Sequence, residues 1–297
     1  MNVKLESAPM AWLRNHGFEP IAWALRRFHT PVAPSALVLE VGAGGNPYPR
    51  ANVLLDAYEA TRERHWAPLT SDRPTVLGFV ENLPFKDHAF DFVIAAHVLE
   101  HSADPALFIA ELQRVAKAGY IEVPDAFMER INPYMDHRLE ITSRNNQLII
   151  RKKKSWQHDP EVIELYEDRV KPVLTSDLIP RHPFEFHVRY YWEGEISYVI
   201  VNPDTDAGWT APVIVRAAPA MTMVGRIRQI TRDFLRGLLS QRQRNATLDL
   251  LPLLRCTTCH ATNLSRTADT VHCVKCETSF PVRKSVVAMN EGQKVAL

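Results

Sequence analysis

The chain has 297 residues, 46% of them hydrophobic and 23% charged, which is the composition of a globular protein with a sizeable core. This length fits one large α/β domain plus a smaller unit. The formal net charge of +1 excludes a global attraction to nucleic acid or membranes and leaves only local patches. No stretch approaches the ~18 consecutive apolar residues of a membrane span, and no secretory signal pattern opens the sequence. We therefore expect a cytoplasmic protein.

The first half of the chain alternates short apolar runs with polar or helical stretches. Residues 1–30 predict one or two amphipathic helices, which end before Pro31. From Ala36 onwards the alternation predicts a mostly parallel sheet that is covered on both faces. A helix is predicted over Pro105–Lys117, and five buried strands are predicted over Leu37–Val41, Asn52–Asp56, Thr75–Phe79, Phe90–Ala95 and Gly119–Val123.

Beyond the fifth strand the pattern becomes antiparallel. Two hairpins are predicted, the first turning at Asn145–Asn146 and the second at Glu193–Gly194. Their strands are Leu139–Thr142 with Leu148–Lys152, and Phe184–Trp192 with Ile196–Val201.

A glycine-rich loop follows the first strand, within Val38–Pro47. Glycines at such a turn let the backbone approach a ligand closely, although a glycine pattern alone would also fit a nicotinamide or flavin site. Glu40 precedes the first glycine by two residues, where its carboxylate can receive a positively charged amino group. A dinucleotide site would keep that position apolar, because pyrophosphate is anionic. Asp56 closes the second strand and can accept hydrogen bonds from both ribose hydroxyls.

Three segments occur in the order in which a known protein family has them. The glycine loop is followed by Glu81–Ile94, then by His97-Val98-Leu99-Glu100-His101, and then by Asp104-Pro105. Together they closely resemble class I methyltransferases that act on small molecules, lipids and sugars, over about Leu37 to Val123. The resemblance implies a Rossmann-like, seven-stranded sheet that binds S-adenosylmethionine across the carboxyl ends of its first four strands.

The resemblance also implies which residues bind this cofactor. Glu40 would hold the methionine portion, Gly42 and Gly44 would allow its close approach, and Asp56 would bind the ribose. One position departs from the family, which usually has an acidic residue for the adenine amino group where this chain has Phe79. Either the backbone takes that role or Phe79 stacks on the ring. The remaining expected cofactor contacts are Glu81, Asn82, Leu83 and His97.

Histidines after the fourth and fifth strands are the candidate catalytic residues. Methyl transfer from a sulfonium needs alignment of donor and acceptor and, for a hydroxyl acceptor, removal of one proton. His101 fits a general base because its ordinary pKa lies near neutrality; alternatively its segment caps a helix or contacts the cofactor. His137 and Arg138 would bind an acidic or sugar-like acceptor, or else begin a solvated loop. Asp125 is a further candidate.

All four cysteines lie near the C-terminal end, in two CxxC pairs. Four thiolates in this arrangement predict one closed tetrahedral zinc site, whereas disulfides or unbound thiols are the alternative. With four cysteines as ligands, His260 and His272 are not needed and the zinc is structural. The surrounding sequence resembles the zinc-ribbon activator subunit of methyltransferases of tRNA, ribosomal RNA and release factor, here fused to the enzyme. The predicted ligands are Cys256, Cys259, Cys273 and Cys276.

A helix predicted over Met221–Leu239 links the two parts. It is either a linker helix whose apolar side packs on a domain, or a membrane-surface or RNA contact. The predicted domains are a methyltransferase domain over 1–215, a basic linker helix over 216–247 and a zinc ribbon over 248–297. The arginines of this region are Arg226, Arg228, Arg232, Arg236, Arg242 and Arg244.

The methyl acceptor is predicted from an absent motif. Ala95–Val98 stands where methyltransferases of amides or adenine carry Asn-Pro-Pro-Tyr, which favours an oxygen acceptor on a sugar, glycolipid or other metabolite over nucleic acid. A methyltransferase of RNA or protein is the alternative because of the ribbon. A non-catalytic scaffold with a degenerate methyltransferase fold is the alternative that Phe79 would support.

Overall fold

Residues 5–61, 68–131, 133–156, 160–210 and 223–294 are described by this computed structural model, apart from the side chains of residues 160, 163, 224, 225, 228 and 232. The chain divides into two units and passes between them several times. Unit 1 contains Met1–Val32, Ala95–Ala106 and Tyr120–Val213, and unit 2 contains Ala33–Ile94, Leu107–Gly119 and Ile214–Leu297. The predicted domain limits at 215 and 216 lie outside the described residues, and the predicted division into three domains stays a prediction.

Unit 2 is built on a sheet whose first strands are fully buried. Continuous apolar runs form these strands, as expected where both faces of a parallel sheet are covered. The first three strands pair in parallel and confirm the predicted parallel sheet. They are β1 Val38–Val41, β2 Val53–Asp56 and β3 Thr75–Leu77, followed by β4 Phe92–Ala96, whose last two residues belong to unit 1.

The C-terminal strands join the same sheet. β13 pairs in parallel with β3, Val287 lying opposite Val76, so the strand order in unit 2 is β10-β11-β12-β13-β3-β2-β1-β4. The predicted α/β class is confirmed, and the sheet is larger than seven strands because the ribbon extends it. The ribbon strands are β10 Leu264–Arg266, β11 Thr270–Cys273, β12 Thr278–Arg283, β13 Val286–Ala288 and β14 Gln293–Lys294.

The basic helix exposes its apolar side. Among its described side chains, Ile227, Ile230, Phe234 and Leu238 are each more than half exposed, so the expectation that this side packs on a domain is wrong for these residues. Arg236 is mostly buried and forms an ion pair with Asp72 at 3.2 Å. The side chains of Arg228 and Arg232 lie outside the described ones. The helices of this part are α8 Met223–Leu239 and α9 Arg242–Ala246.

Unit 1 confirms one predicted hairpin and corrects the other. β6 and β7 pair antiparallel around Asn145 and Asn146, whose φ values of 51° and 58° fit a tight hairpin turn. The second hairpin does not form, because β8 pairs with β5 whereas β9 pairs in parallel with β7. The strands are β5 Ala118–Pro124, β6 Leu139–Arg144, β7 Gln147–Lys152, β8 His187–Glu193 and β9 Tyr198–Ile200.

The remaining helices belong to unit 1, except most of the helix over Pro105–Val115, which belongs to unit 2. None of the helices in the described part of the chain is long and apolar enough to cross a membrane. Short 3₁₀ turns lie at Val80–Asn82, after β3, and at Leu99–His101, after β4, and both carry predicted site residues. The helices are α1 Ala8–Asn15, α2 Glu19–Leu25, α3 Pro105–Val115, α4 Ala126–Ile131, α5 Pro160–Leu165, α6 Lys171–Val173 and α7 Ile179–Arg181.

Candidate functional site

The glycine loop of unit 2 turns directly after β1. Gly42 and Gly44 have φ values of 66° and 58°, in the left-handed region that glycine adopts without steric cost. A side chain at either position would strain the turn. The sequence therefore places two glycines where the backbone must change direction at the carboxyl end of a parallel strand, which is where open α/β sheets bind their ligands.

Two buried carboxylates fix this loop. One oxygen of Glu40 accepts a hydrogen bond from the backbone N–H of Tyr48 at 2.7 Å. Asp56 accepts one from the N–H of Gly44 at 2.9 Å and one from the N–H of Tyr58 at 3.2 Å. Hydrogen bonds to ionised groups contribute about 1.5–3 kcal/mol each. The two predicted cofactor carboxylates thus also hold the loop in shape.

The position that departs from the family carries an exposed aromatic pair. Phe79 is 43% exposed and Tyr58 is 50% exposed, and their rings meet edge to face with centroids 5.9 Å apart. Phe79 directly follows Gly78 beyond β3, and Tyr58 lies two residues after Asp56. Sequence reasoning considered Phe79 but missed Tyr58, whose only local signal is its position just after the second strand.

The turn that should flank the adenine is tied into unit 2. Glu81 and Asn82 lie in the Val80–Asn82 turn, and the side-chain amide of Asn82 donates to the carbonyl of Thr257, in the cysteine-bearing segment, at 2.9 Å. Leu83 is fully buried, and its N–H donates to Glu111 at 2.6 Å. The Asn82 amide and the Leu83 N–H are therefore engaged inside the protein.

His97 begins a charged network in unit 1. Its φ of 58° turns the chain sharply after β4, and its two ring nitrogens lie 3.4 Å from Glu100 and 3.3 Å from Glu122. Its side chain is 43% exposed, and the loss of solvation on its inner side opposes the charged ring, but the two carboxylates outweigh this and raise the pKa of His97 to about 10. His97 is therefore a cation at neutral pH, which does not suit it to accept a proton.

Glu122 receives an arginine from a distant segment. Its side chain is 1% exposed, and both oxygens accept hydrogen bonds from Arg26 at 2.8 Å, in a two-pronged pair. Burial raises the pKa of Glu122, but Arg26 and His97 together hold it well below its ordinary value. Sequence reasoning missed this pair because 96 residues separate its members, and no local pattern connects them.

The two candidate catalytic histidines lie together in unit 1. The rings of His101 and His137 meet edge to face with centroids 4.8 Å apart. The reason is a backbone hydrogen bond of 2.7 Å from the N–H of Arg138 to the carbonyl of Glu100, which joins the start of β6 to the turn after β4. The carbonyl of Asp136 lies 3.1 Å from Nδ1 of His101.

Carboxylates accompany this histidine pair. Nδ1 of His137 lies 2.6 Å from Glu129, whose other oxygen accepts a hydrogen bond from Lys153 at 2.6 Å. Glu100 is 2% exposed. Burial raises its pKa, but the nearby histidines, His97 foremost, outweigh burial and lower it to about 2. The cluster therefore contains a buried carboxylate that is ionised at neutral pH.

The other two candidates in this region have partners within unit 1. Arg138 donates to the carbonyl of Ala207 at 2.6 Å and also to the carbonyl of Trp209. Asp125 accepts hydrogen bonds from the hydroxyl of Thr142 at 2.7 Å and the N–H of Phe127 at 2.8 Å. Both side chains hold local structure, so His101 and His137 are the better candidates.

The four cysteines converge in unit 2. The sulfur atoms of Cys256 and Cys276 lie 3.6 Å apart, as do those of Cys259 and Cys273, and no disulfide joins these four described cysteines. Zinc–sulfur bonds of ~2.3 Å place tetrahedral ligands about 3.8 Å apart. Both pairs turn on a left-handed residue after the second cysteine, His260 and Glu277 with φ of 58° and 60°. The arrangement fits a zinc ribbon.

Comparison with known proteins matches part of the chain. Residues 39–121 match the family model described as a methyltransferase domain, a range that begins in β1 and ends in β5. Among solved structures, a complex of the Haloferax volcanii Trm112 methyltransferase activator with a candidate methyltransferase contains a chain that is 17% identical, with 46% of this chain and 75% of that chain covered and a TM-score of 0.31.

Two further solved structures are similar over the same fold. An S-adenosylmethionine-dependent methyltransferase from Thermotoga maritima is 22% identical, with 39% of this chain and 56% of that chain covered and a TM-score of 0.28. The YcgJ protein from Bacillus subtilis is 18% identical, with 43% of this chain and 70% of that chain covered and a TM-score of 0.30. The chain thus spans little more than half the length of the Thermotoga protein.

Proposed function

We propose that this chain is an S-adenosylmethionine-dependent methyltransferase, which the methyltransferase-domain match over residues 39–121 supports, and that it transfers the methyl group to an oxygen of a sugar, glycolipid or other metabolite. The observation that carries the proposal is the glycine loop inside that domain. Its two left-handed glycines and two buried carboxylates lie at the carboxyl ends of β1 and β2, which supports a site for this cofactor there.

The proposed cofactor residues follow from charge and shape. S-adenosylmethionine carries an ammonium and a sulfonium, and it supplies an electrophilic methyl group. Glu40 would bind the ammonium, and Asp56 would bind the ribose hydroxyls. The exposed rings of Phe79 and Tyr58 would stack on the adenine, in place of the acidic residue usual in the family. This pair weakens the argument for a degenerate site, because it replaces a lost hydrogen bond with an aromatic contact.

For an oxygen acceptor, His101 and His137 are the residues proposed to handle its proton. The carbonyl of Asp136 can only accept, so Nδ1 of His101 carries the hydrogen and the ring's lone pair is on Nε2. Nε2 would take the hydroxyl proton while the oxygen forms its bond to the methyl carbon and the bond from that carbon to the sulfonium sulfur breaks, which releases S-adenosylhomocysteine. His97 is better suited to hold the network in place, because its charged ring has no lone pair to accept a proton.

The zinc ribbon is proposed to be structural and fused to its enzyme. Zinc would bind Cys256, Cys259, Cys273 and Cys276, a set that leaves no coordination position open for chemistry. The activator named in the Haloferax complex is a separate chain of that assembly. In this chain β13 of the ribbon lies beside β3 of the methyltransferase sheet, so an activating contact would be built into one polypeptide. A methyl acceptor of RNA or protein is the second candidate, favoured by this ribbon.

Calorimetry with S-adenosylmethionine and S-adenosylhomocysteine tests the cofactor site. We expect both to bind, and Phe79→Ala to weaken binding by about 2- to 12-fold, from a ring contact of ~0.5–1.5 kcal/mol. Phe127→Ala is the matched control, because Phe127 is an exposed phenylalanine of unit 1, 60% exposed. Failure of the wild-type chain to bind either compound would support a non-catalytic scaffold.

The acceptor is tested with a labelled methyl group. Extracts of a strain lacking this gene would be incubated with the enzyme and carbon-13-labelled S-adenosylmethionine. Carbon-13 NMR separates methyl groups bonded to oxygen from those bonded to nitrogen. We expect a labelled O-methyl product of low molecular mass. Label on nitrogen, or label that stays with RNA or protein, would contradict the oxygen acceptor.

A further inference from the structure

Three side chains of unit 1 present metal-ligand atoms to one another. Glu100, His101 and His137 each offer one ligand atom, and these atoms all lie within 4.8 Å of one another. Ligands of a cation with bonds of ~2.1 Å lie about 3–3.5 Å apart. The distances between the ligand atoms would therefore shorten by about an ångström when an ion binds.

The hydrogen bonds behind both histidines are those of metal ligands. Nδ1 of His101 faces the carbonyl of Asp136 at 3.1 Å, and Nδ1 of His137 faces the carboxylate of Glu129 at 2.6 Å. Both partners are acceptors, so each ring carries a hydrogen on Nδ1, and the lone pair of the neutral ring is on Nε2. A histidine that binds a metal almost always donates its other N–H to a carbonyl or carboxylate in this way.

Glu100 supplies the second, independent observation. It is 2% exposed, and neither of its carboxylate oxygens accepts a hydrogen bond from any residue that the structure describes. His97 lies 3.4 Å from one oxygen and compensates part of the charge. A buried carboxylate without hydrogen bonds is costly unless a cation is bound to it. The carboxylate lies beside the two imidazoles, where such a cation would be held.

We propose that Glu100, His101 and His137 bind a divalent first-row transition-metal cation through one carboxylate and two imidazole nitrogens. Two histidines and one carboxylate suit zinc, manganese or iron, and a three-residue set leaves coordination positions open. This site differs from the four-cysteine site in ligand chemistry, because oxygen and nitrogen ligands accept harder ions than four thiolates do.

The open coordination positions would let the ion bind the methyl acceptor, a role that rests on the proposed function. An acceptor hydroxyl bound there becomes more acidic, as water does on a metal. Its proton would pass to solvent water as its oxygen forms a bond to the methyl carbon. The bond from that carbon to the cofactor sulfur would break at the same time, so S-adenosylhomocysteine leaves and one proton is released for each methyl group transferred. His101 then serves as a ligand, because its Nε2 cannot bind the ion and accept the proton together.

Manganese titration of the full chain that carries one equivalent of zinc, bound by its four thiolates, tests the site directly. Mn²⁺ avoids thiolates, and its electron paramagnetic resonance signal falls when it binds, so neither cofactor nor acceptor is needed. We expect one Mn²⁺ per chain that Zn²⁺ displaces. Glu100→Gln and His137→Ala should each weaken binding at least tenfold, and Glu129→Gln should weaken it about 10- to 100-fold. The matched controls Glu140→Gln and His182→Ala should leave binding unchanged.

The results test the metal site and the proposed function separately. A wild-type chain that binds no Mn²⁺, or whose binding survives in folded Glu100→Gln and His137→Ala variants, overturns the metal site. If that chain still binds S-adenosylmethionine and releases methylated product, the proposed function stands without the metal, and His101 stays the proposed base. If Mn²⁺ binds as expected but neither cofactor nor methyl transfer is detected, the metal site stands and the proposed function fails.

Discussion

Replacing Asp56 with alanine perturbs both the glycine loop and the proposed ribose contact. In the structure, the carboxylate accepts hydrogen bonds from the N–H groups of Gly44 and Tyr58. The proposed function adds two bonds from the ribose hydroxyls. The substitution therefore removes observed internal bonds and proposed ligand bonds from one side chain that is 6% exposed.

The magnitude follows from counting these bonds. Hydrogen bonds to a charged group contribute about 1.5–3 kcal/mol each, so the loss of even one ribose bond costs a factor of 10 or more in affinity, at ~1.4 kcal/mol per tenfold. The loss of the two internal bonds should also lower the free energy of unfolding by about 1–3 kcal/mol, because water can reach the vacated N–H groups and replaces part of each bond. We expect at least tenfold weaker binding of S-adenosylmethionine.

Calorimetry measures the affinity, and urea denaturation measures the stability. Asp91→Asn is the matched control, since Asp91 also accepts a backbone hydrogen bond, from Leu37 at 2.9 Å. Leu37 precedes β1, so this bond lies at the opposite end of that strand from the glycine loop. The control should lose stability and keep its affinity. An Asp56→Ala variant that is folded and binds S-adenosylmethionine as tightly as the wild type would refute the assignment of the cofactor site.

Three further predictions concern the metal, the buried ion pair and the candidate base. The purified chain should contain one zinc bound by thiolates. Cys273→Ser should abolish this binding and unfold the ribbon, while the rest of the chain stays soluble. Elemental analysis that finds as much zinc in the variant as in the wild type would contradict the site. Arg26→Leu should lower the free energy of unfolding at pH 7 by about 3 kcal/mol, because it leaves Glu122 buried without its main partner. Since the pKa of Glu122 is depressed in the folded protein, the stability it contributes is present above its ordinary pKa of about 4.5 and is lost as the pH falls through the folded value. The difference between wild type and variant should therefore shrink below pH 4.5, and a constant difference from pH 7 to 4 would be inconsistent with this origin. His101→Ala should reduce methyl transfer at least 100-fold with nearly unchanged cofactor affinity, and loss of cofactor binding instead would assign His101 to the donor pocket.

Signals between neighbouring residues were enough to predict several features. Short apolar runs predicted the strands β1 to β5, since a parallel sheet that is buried on both faces requires such runs. Gly42 and Gly44 marked a turn with positive φ, and Asn145–Asn146 marked a hairpin. The spacing of the two CxxC pairs marked a four-sulfur site. These signals are local, because a turn or a CxxC pair is formed by residues within a few positions of one another.

Contacts between segments that are distant in the sequence could be seen only in the tertiary structure. The pairing of β8 with β5 and of β9 with β7 replaced a predicted hairpin, because alternation shows that a strand has a buried face but does not identify its partner. The addition of β13 to the edge of β3 was equally invisible in the sequence. Any exposed strand edge offers the same backbone hydrogen bonds, so its partner is chosen by the surrounding packing.

The candidate site divides in the same way. The segment from His97 to His101 stood out along the chain, but its chemistry depends on residues that follow much later. Glu129 orients His137, and a backbone hydrogen bond from Arg138 brings that ring beside His101. The state of Glu100, buried and ionised, depends on which cations surround it in space. Sequence lists the ionisable groups, whereas burial and through-space distance set the energy of each charge.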